Sequence, residues 1–285
     1  MKPFISAKTA FELFNQENVL FIDAQYDFNQ PEEYSLKIHK QNHIPGSIYL
    51  SMLSELSGPQ TPATGRHPLP SLEHFKALLE EMFISKNLHI ICYDNTNGGY
   101  TARIWFMLFT LGYEKVQILE GGLSKWIADG YPTTSEPTIR TGEKISLSLP
   151  SDWSFGIISL VDFKKVSELV DSGFTGLIDS RDSNRFHGQA STLDKVGGHI
   201  PGASNRWWKA NISDGDGILR NDKELKKEFD LLFINNKPED SIVYCGSGVT
   251  ACFNLAVMKQ LGFQEPKLYI GSFSDWEAHS TRFES

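Results

Sequence analysis

Cys245-Gly246-Ser247-Gly248-Val249-Thr250 places a thiol between an apolar run, Ser241-Ile242-Val243-Tyr244, and a helix-like run from Thr250 to Leu261. A strand that ends in a tight turn and restarts as a helix presents the turn residue at the mouth of a loop. Two glycines let the loop backbone take conformations closed to other residues, so successive N–H groups can turn toward one point. A thiolate facing such amides and a helix N-terminus is stabilised, and the thiolate is the nucleophilic form of cysteine. Cys245 therefore reads as the attacking group of a covalent mechanism, with the amides of Gly246, Gly248, Val249 and Thr250 as the cradle for its anion. A buried structural cysteine at a strand end has no need of this glycine spacing.

Other chemistries that use a cysteine are disfavoured. A phosphatase needs an arginine six places after its cysteine to grip phosphate in a bidentate fork, and that place holds Ala251. Cys92 lies in an apolar run and Cys252 on the following helix, both as small buried residues. The chain has no Cys-x2-Cys pair, no His-Glu-x2-His run and no glycine pattern of a nucleotide-binding loop, so no metal and no cofactor are expected.

The elements that position Cys245 occur twice. His43-Ile44-Pro45-Gly46-Ser47 returns as His199-Ile200-Pro201-Gly202-Ala203, and Asp23-Ala24 returns as Asp179-Ser180 at the same interval. Tyr93-Asp94 matches Tyr244-Cys245, Thr101-Ala102 matches Thr250-Ala251, and Gly121 through Trp126 matches Gly271 through Trp276. Repeats this long bury their own cores, so the copies read as domains, residues 1–135 and 157–285. The Thr-, Ser- and Pro-rich stretch 136–156 reads as a linker wrapping over the surface. In each copy a helix capped by Ser6 or Ser159 leads into a short apolar strand. After the His-Ile-Pro-Gly turn come a helix, a buried strand, a long helix, a final strand and a tryptophan-bearing helix. Strands alternating with helices argue for an α/β fold, a parallel sheet with helices on both faces. Functional loops of such sheets gather at the carboxyl ends of the strands, where both Asp94 and Cys245 fall.

The Cys-Gly-Ser-Gly-Val-Thr loop and the tandem repeat resemble the rhodanese superfamily, and the loop is similar to that of the 3-mercaptopyruvate sulfurtransferases. The resemblance covers essentially the whole chain. It implies two rhodanese-like domains, the first catalytically silent with Asp94 in the cysteine position. It implies sulfur transfer from 3-mercaptopyruvate through a Cys245 persulfide to a small thiol, cyanide or a thioredoxin-type protein, releasing pyruvate. Arg185 matches the family's substrate-carboxylate arginine, a task suited to a planar guanidinium fork. The family's second arginine has no counterpart in the stretch from Gly188 to Lys195, which leaves Lys195 as the candidate donor there and keeps thiosulfate open as the sulfur donor. Ser247 is expected to relay a proton, working with a histidine for which His43 is the matching position. Arg181, beside Asp179, reads as a loop brace. A silent rhodanese module used for binding is the reading from another class.

Composition fits this picture. The chain is 40% hydrophobic and no apolar run approaches the ~18 residues of a membrane span. Three cysteines argue against a disulfide framework, and the N-terminus lacks a signal-like apolar stretch, so a cytoplasmic setting is expected. A net charge of −8 makes nucleic acid and anionic membranes unsuitable partners, and a small anionic donor must be drawn by a local positive site.

Overall fold

The computed structural model describes residues 1–61, 64–153, 156–189 and 191–284. They form two compact units. The first takes in Met1–Gly58, Pro70–Ile157 and Ser213–Leu219; the second takes in Pro59–Leu69, Ile158–Ile212 and Arg220–Ser285. Unit membership therefore departs from the order of the copies along the chain: residues 59–69 precede most of the first copy's helices yet belong with the second.

In the first unit the strands are β1 (Phe4–Ile5), β2 (Val19–Asp23), β3 (Ile48–Tyr49), β4 (His89–Tyr93) and β5 (Val116–Leu119), in the spatial order β1-β5-β4-β2-β3. Every pairing is parallel, with Leu20 opposite Ile90 and Ile22 opposite Cys92. The helices are α1 (Ala7–Leu13), α2 (Glu32–Gln41), α3 (Leu72–Glu81), α4 (Thr101–Thr110) and α5 (Gly122–Ala128). Side chains alternate across a strand, so Phe21, Ile91, Tyr93 and Leu119 share one face and pack with Ala7 and Ala10 of α1 and Leu123 and Trp126 of α5. The intervening Leu20, Ile22, Ile90, Cys92 and Ile118 are buried as well, which is why these strands read as continuous apolar runs.

The second unit repeats the plan with β6 (Leu160–Val161), β7 (Leu177–Asp179), β8 (Ser204–Asn205), β9 (Ile242–Tyr244) and β10 (Lys267–Tyr269), ordered β6-β10-β9-β7-β8 and again all parallel. Its helices are α6 (Phe163–Asp171), the short α7 (Ser183–Phe186), α8 (Asp222–Leu232), α9 (Ala251–Gln260) and α10 (Ser272–His279). Trp276 packs with Tyr244, Tyr269 and Phe273 as Trp126 does with its counterparts. Both indoles are fully buried, and each donates its N–H to a carbonyl six residues on, that of Pro132 or Arg282, at 2.8 Å.

One local expectation is corrected. Ser6 does cap α1, accepting from the Thr9 N–H at 3.2 Å, but the cap of α6 is Asp162, which accepts from the Lys165 N–H at 2.8 Å, and not Ser159. A carboxylate at an N-cap answers the unpaired N–H groups as well as a hydroxyl and adds a favourable charge to the helix dipole. The stretch 136–156 lies along the first unit: Arg140 donates to the carbonyls of Met82 and Phe83, and Trp153 is buried with its N–H on the Pro70 carbonyl. Ser154 and Phe155 of that stretch lie outside the described residues.

Candidate active site

Cys245 follows the last residue of β9 directly and is 1% exposed. Its N–H donates to Ser272 Oγ at 3.1 Å, and its carbonyl accepts from the Phe273 N–H at 3.0 Å. The next carbonyl, that of Gly246, accepts from the Ser274 N–H at 2.9 Å. The first turn of α10 is thus the shelf on which the loop begins. Ser272 reaches this position in the left-handed region, at φ 56°, and its hydroxyl donates to the Tyr269 carbonyl at 2.9 Å. Gly248 is also left-handed, at φ 76°, and a Cβ there would strike the Ile270 carbonyl, so the residue must be glycine. Among the described residues the N–H groups of Gly246, Ser247, Val249 and Thr250 have no protein acceptor.

The equivalent loop of the first unit shows what such amides do with a negative charge. Asp94 follows β4 as Cys245 follows β9. Its carboxylate accepts from the N–H groups of Thr96 (2.7 Å), Gly98 (2.9 Å), Tyr100 (2.9 Å) and Thr101 (2.8 Å). Burial pushes this carboxyl above its ordinary range while the four amides pull the other way. The loop of the first copy is closed on its own side chain.

Ser247 is buried, and its hydroxyl lies 2.8 Å from His67 Nδ1. This corrects the expectation for His43. The His43 ring instead lies in the first unit, 2.7 Å from the His39 carbonyl through Nδ1 and stacked on the His39 ring, while its backbone pairs with Thr134 in both directions. His199 does the same in its own unit, with Nδ1 on the Phe186 carbonyl at 2.9 Å and its backbone paired with Glu284. A histidine held the same way in a unit whose loop carries a thiol and in a unit whose loop carries none is bracing its turn. The buried phenols of Tyr93 and Tyr244 complete that brace by accepting from the Ile44 and Ile200 N–H groups.

Two arginines stand over the thiol loop. Arg185, on α7, is oriented by the Asp182 cap, which accepts its backbone N–H at 3.0 Å. Its guanidinium grips Asp194 bidentately, Nε to Oδ2 at 2.6 Å and Nη2 to Oδ1 at 2.7 Å. Arg66 is anchored by its own N–H on Ser274 Oγ at 3.0 Å, and its side chain donates to the Gly246 carbonyl at 3.3 Å and to Glu277 at 3.4 Å. A Cβ on Gly246 would lie 2.7 Å from Arg185 Nη2 and 2.9 Å from Arg66 Nη2, so the two tips converge on the residue after the thiol. Burial pushes the Arg66 guanidinium below its ordinary value, opposed by Asp194, Glu277 and the charge of Cys245. Asp194 is driven up by burial but further down by Arg185, Arg181 and Arg66, and ends below the usual carboxylate range. Arg181 braces the loop after β7: it chelates Asp179, donates to the Gly198 carbonyl at 2.8 Å, and lies flat on the Phe273 ring at 3.7 Å.

Lys195 does not fill the place of a second arginine over the loop; its backbone N–H donates to Glu277 at 2.7 Å, and the residue is exposed at the rim of a cavity of about 300 Å³ that Arg66, Asp194 and Glu277 also line. Arg66 takes that place. Arg66 and His67 escaped the sequence reading because residues 59–69 sit within the first copy but fold with the second unit. The available signal was two residues capable of chemistry side by side in a Thr-, Pro- and Gly-rich loop, Thr64-Gly65-Arg66-His67-Pro68. Cys92 is fully buried and burial pushes its thiol up, the mark of an inert cysteine, and Cys252 turns its thiol to the Gly248 carbonyl at 3.4 Å.

Comparison with known proteins agrees with this fold. The rhodanese-like domain matches residues 6–129 and again 162–279. The chain is 31% identical over 275 residues to a probable 3-mercaptopyruvate sulfurtransferase of Pseudomonas aeruginosa, covering 95% of this chain and 94% of that protein. It is 31% identical over 248 residues to a thiosulfate sulfurtransferase of Cricetulus griseus, covering 84% and 79%. The 3-mercaptopyruvate sulfurtransferase structure from Leishmania major superposes with a TM-score of 0.84 at 25% identity, over 96% of this chain and 74% of that one. With a domain match in both halves and a nucleophile loop in the second, the chain belongs to the rhodanese family of sulfurtransferases.

Proposed function

We propose that this chain moves a sulfur atom from 3-mercaptopyruvate through a Cys245 persulfide to a thiol or cyanide acceptor. The observation that carries the reading is the convergence of Arg66 and Arg185 over Gly246, beside Cys245, where a carboxylate can meet guanidinium N–H donors from two directions. The Cys245 thiolate attacks the donor sulfur, the carbon–sulfur bond breaks, and its electron pair leaves on pyruvate as the enolate. Ser247 delivers the proton that the enolate carbon needs, and His67, 2.8 Å from the serine oxygen, replaces it. The outer sulfur of the persulfide carries the negative charge toward the loop amides, which act as an oxyanion hole does. An acceptor thiolate, small or on a thioredoxin-type protein, then attacks that outer sulfur and returns Cys245 to the thiolate. Two half-reactions through one covalent intermediate give ping-pong kinetics. The first unit takes no part in the chemistry, because Asp94 occupies its own amide cradle. All three cysteines are buried and outside any disulfide, which suits a reducing cytoplasmic setting.

Thiosulfate is the second reading, favoured by the likeness to the hamster thiosulfate sulfurtransferase. One experiment separates the two: incubate the protein with either donor, without acceptor, and weigh the intact chain. One added sulfur from 3-mercaptopyruvate, absent in Cys245→Ser, is expected. Loading from thiosulfate alone would replace the donor, and loading from neither would overturn the enzyme reading.

A further inference from the structure

The convergence of two guanidinium groups is held together by carboxylates, and these set the charge of the site. Arg66 and Arg185 repel one another. Asp194 stands between them, bidentate on Arg185, 3.7 Å from Arg66 Nη2 and 3.2 Å from Arg181 Nη1, with its side chain 4% exposed. Glu277, with its side chain 3% exposed, holds the other side of Arg66 at 3.4 Å and takes the backbone N–H groups of Lys195 and Val196 at 2.7 and 3.3 Å. Asp182 adds a third carboxylate, 4.0 Å from Arg185 Nε. Against these stand Arg66, Arg185 and the rim lysine Lys195, while Arg181 is matched by Asp179. The charges therefore balance before the Cys245 thiolate forms, and the pocket is negative once it has.

The fork that Arg185 offers Asp194 uses Nε and Nη2. Nη2 also faces the loop, 2.7 Å from where a Cβ on Gly246 would stand, so its second N–H can meet a single donor carboxylate. A planar monoanion gains that hydrogen bonding without bringing a second negative charge into a site that already carries the thiolate. A dianion brings two.

We infer that Asp194, assisted by Glu277, is a positioning and charge-setting residue that makes this site discriminate in favour of a singly charged sulfur donor over a doubly charged one. The inference rests on the proposed sulfurtransferase function. It assigns the discrimination to carboxylates that touch the arginines and not the donor. Removing one negative charge a few ångströms from the donor favours each unit of donor charge, so the dianion gains more than the monoanion by roughly tenfold.

The test measures kcat/KM for 3-mercaptopyruvate and for thiosulfate, with the same acceptor, in wild type, Asp194→Asn, Asp194→Glu and Glu277→Gln. In Asp194→Asn the ratio of thiosulfate to mercaptopyruvate kcat/KM should rise about tenfold, carried by KM. Glu277→Gln should move the ratio in the same direction, and Asp194→Glu should return it toward wild type. A merely structural aspartate would lower kcat/KM for both donors alike and leave the ratio unmoved, which would overturn the inference. A fall in the ratio would overturn it too. Asp194→Glu, which keeps the charge, guards against a misfolded Asp194→Asn, and Glu277→Gln tests the same electrostatics from another residue. Wild-type protein that turns over neither donor would sink the proposed function itself, a result distinct from an unchanged ratio in active variants.

Discussion

Asp94→Ala tests whether the loop after a rhodanese strand is an anion cradle by construction. The wild-type carboxylate satisfies four backbone N–H groups at 2.7 to 2.9 Å. Hydrogen bonds to a charged group are worth about 1.5–3 kcal/mol each, so their gross sum is roughly 6–12 kcal/mol. Burying the carboxylate costs several kcal/mol of desolvation, which the variant recovers. Relaxation of the loop and entry of water recover part of the rest, leaving a net loss of about 4 kcal/mol for alanine. Asparagine keeps one acceptor oxygen but turns an NH2 toward N–H donors, and should lose about half as much. Urea denaturation followed by tryptophan fluorescence is the assay, fitted with separate transitions for the two units. At a slope of about 2 kcal/mol per molar urea, the transition of the first unit should fall by about 2 M in the alanine variant. Sulfur loading of Cys245 should persist at low denaturant, since no step uses Asp94. A loss under about 1 kcal/mol, or an asparagine variant as stable as wild type, would refute the cradle argument.

Three further outcomes are expected. His67→Ala should lower kcat about 100-fold with 3-mercaptopyruvate, whose enolate needs a proton, and far less with thiosulfate, whose sulfite leaves without one; equal losses would remove Ser247 and His67 from proton transfer. Arg66→Ala should raise KM for the donor about tenfold or more, and Arg66→Lys should recover only part of it, because an ammonium cannot reproduce the planar donor set; full recovery by lysine would reduce Arg66 to a point charge. Asp194 is held below its unfolded value of 3.8, so it contributes stability that is present above about pH 4 and is lost as pH falls through the lower folded value. Melting temperatures measured from about pH 5 down to 2 should therefore fall less steeply in Asp194→Asn than in wild type, and parallel curves would contradict the assignment.

The fold was legible because its signals are local and repeated. Continuous apolar runs such as Leu20-Phe21-Ile22 announce doubly buried strands, and the return of the His-Ile-Pro-Gly turn announces a second copy. Cys245 and Ser247 could be read because their loop carries its reason in the glycines beside them. Arg66 and His67 could not, because a contact such as His67 to Ser247 joins residues 180 apart in the chain, and no periodicity records it. The family resemblance offered His43 as the partner of Ser247, while the repeat pointed the other way: a residue shared by both copies serves what they share, the turn. Asp194 was passed over for its neighbour Lys195, since a positive residue was sought where the chain needed a negative one to hold two positives together.

The membership of residues 59–69 in the second unit bears on how such a chain can be made and inherited. During synthesis the arginine and the histidine leave the ribosome long before the thiol, so on the proposed mechanism an interrupted chain is an inert one. A gene split between its duplicated halves would encode a first half holding Arg66 and His67 with nothing to act on, and a second half with a cysteine lacking both.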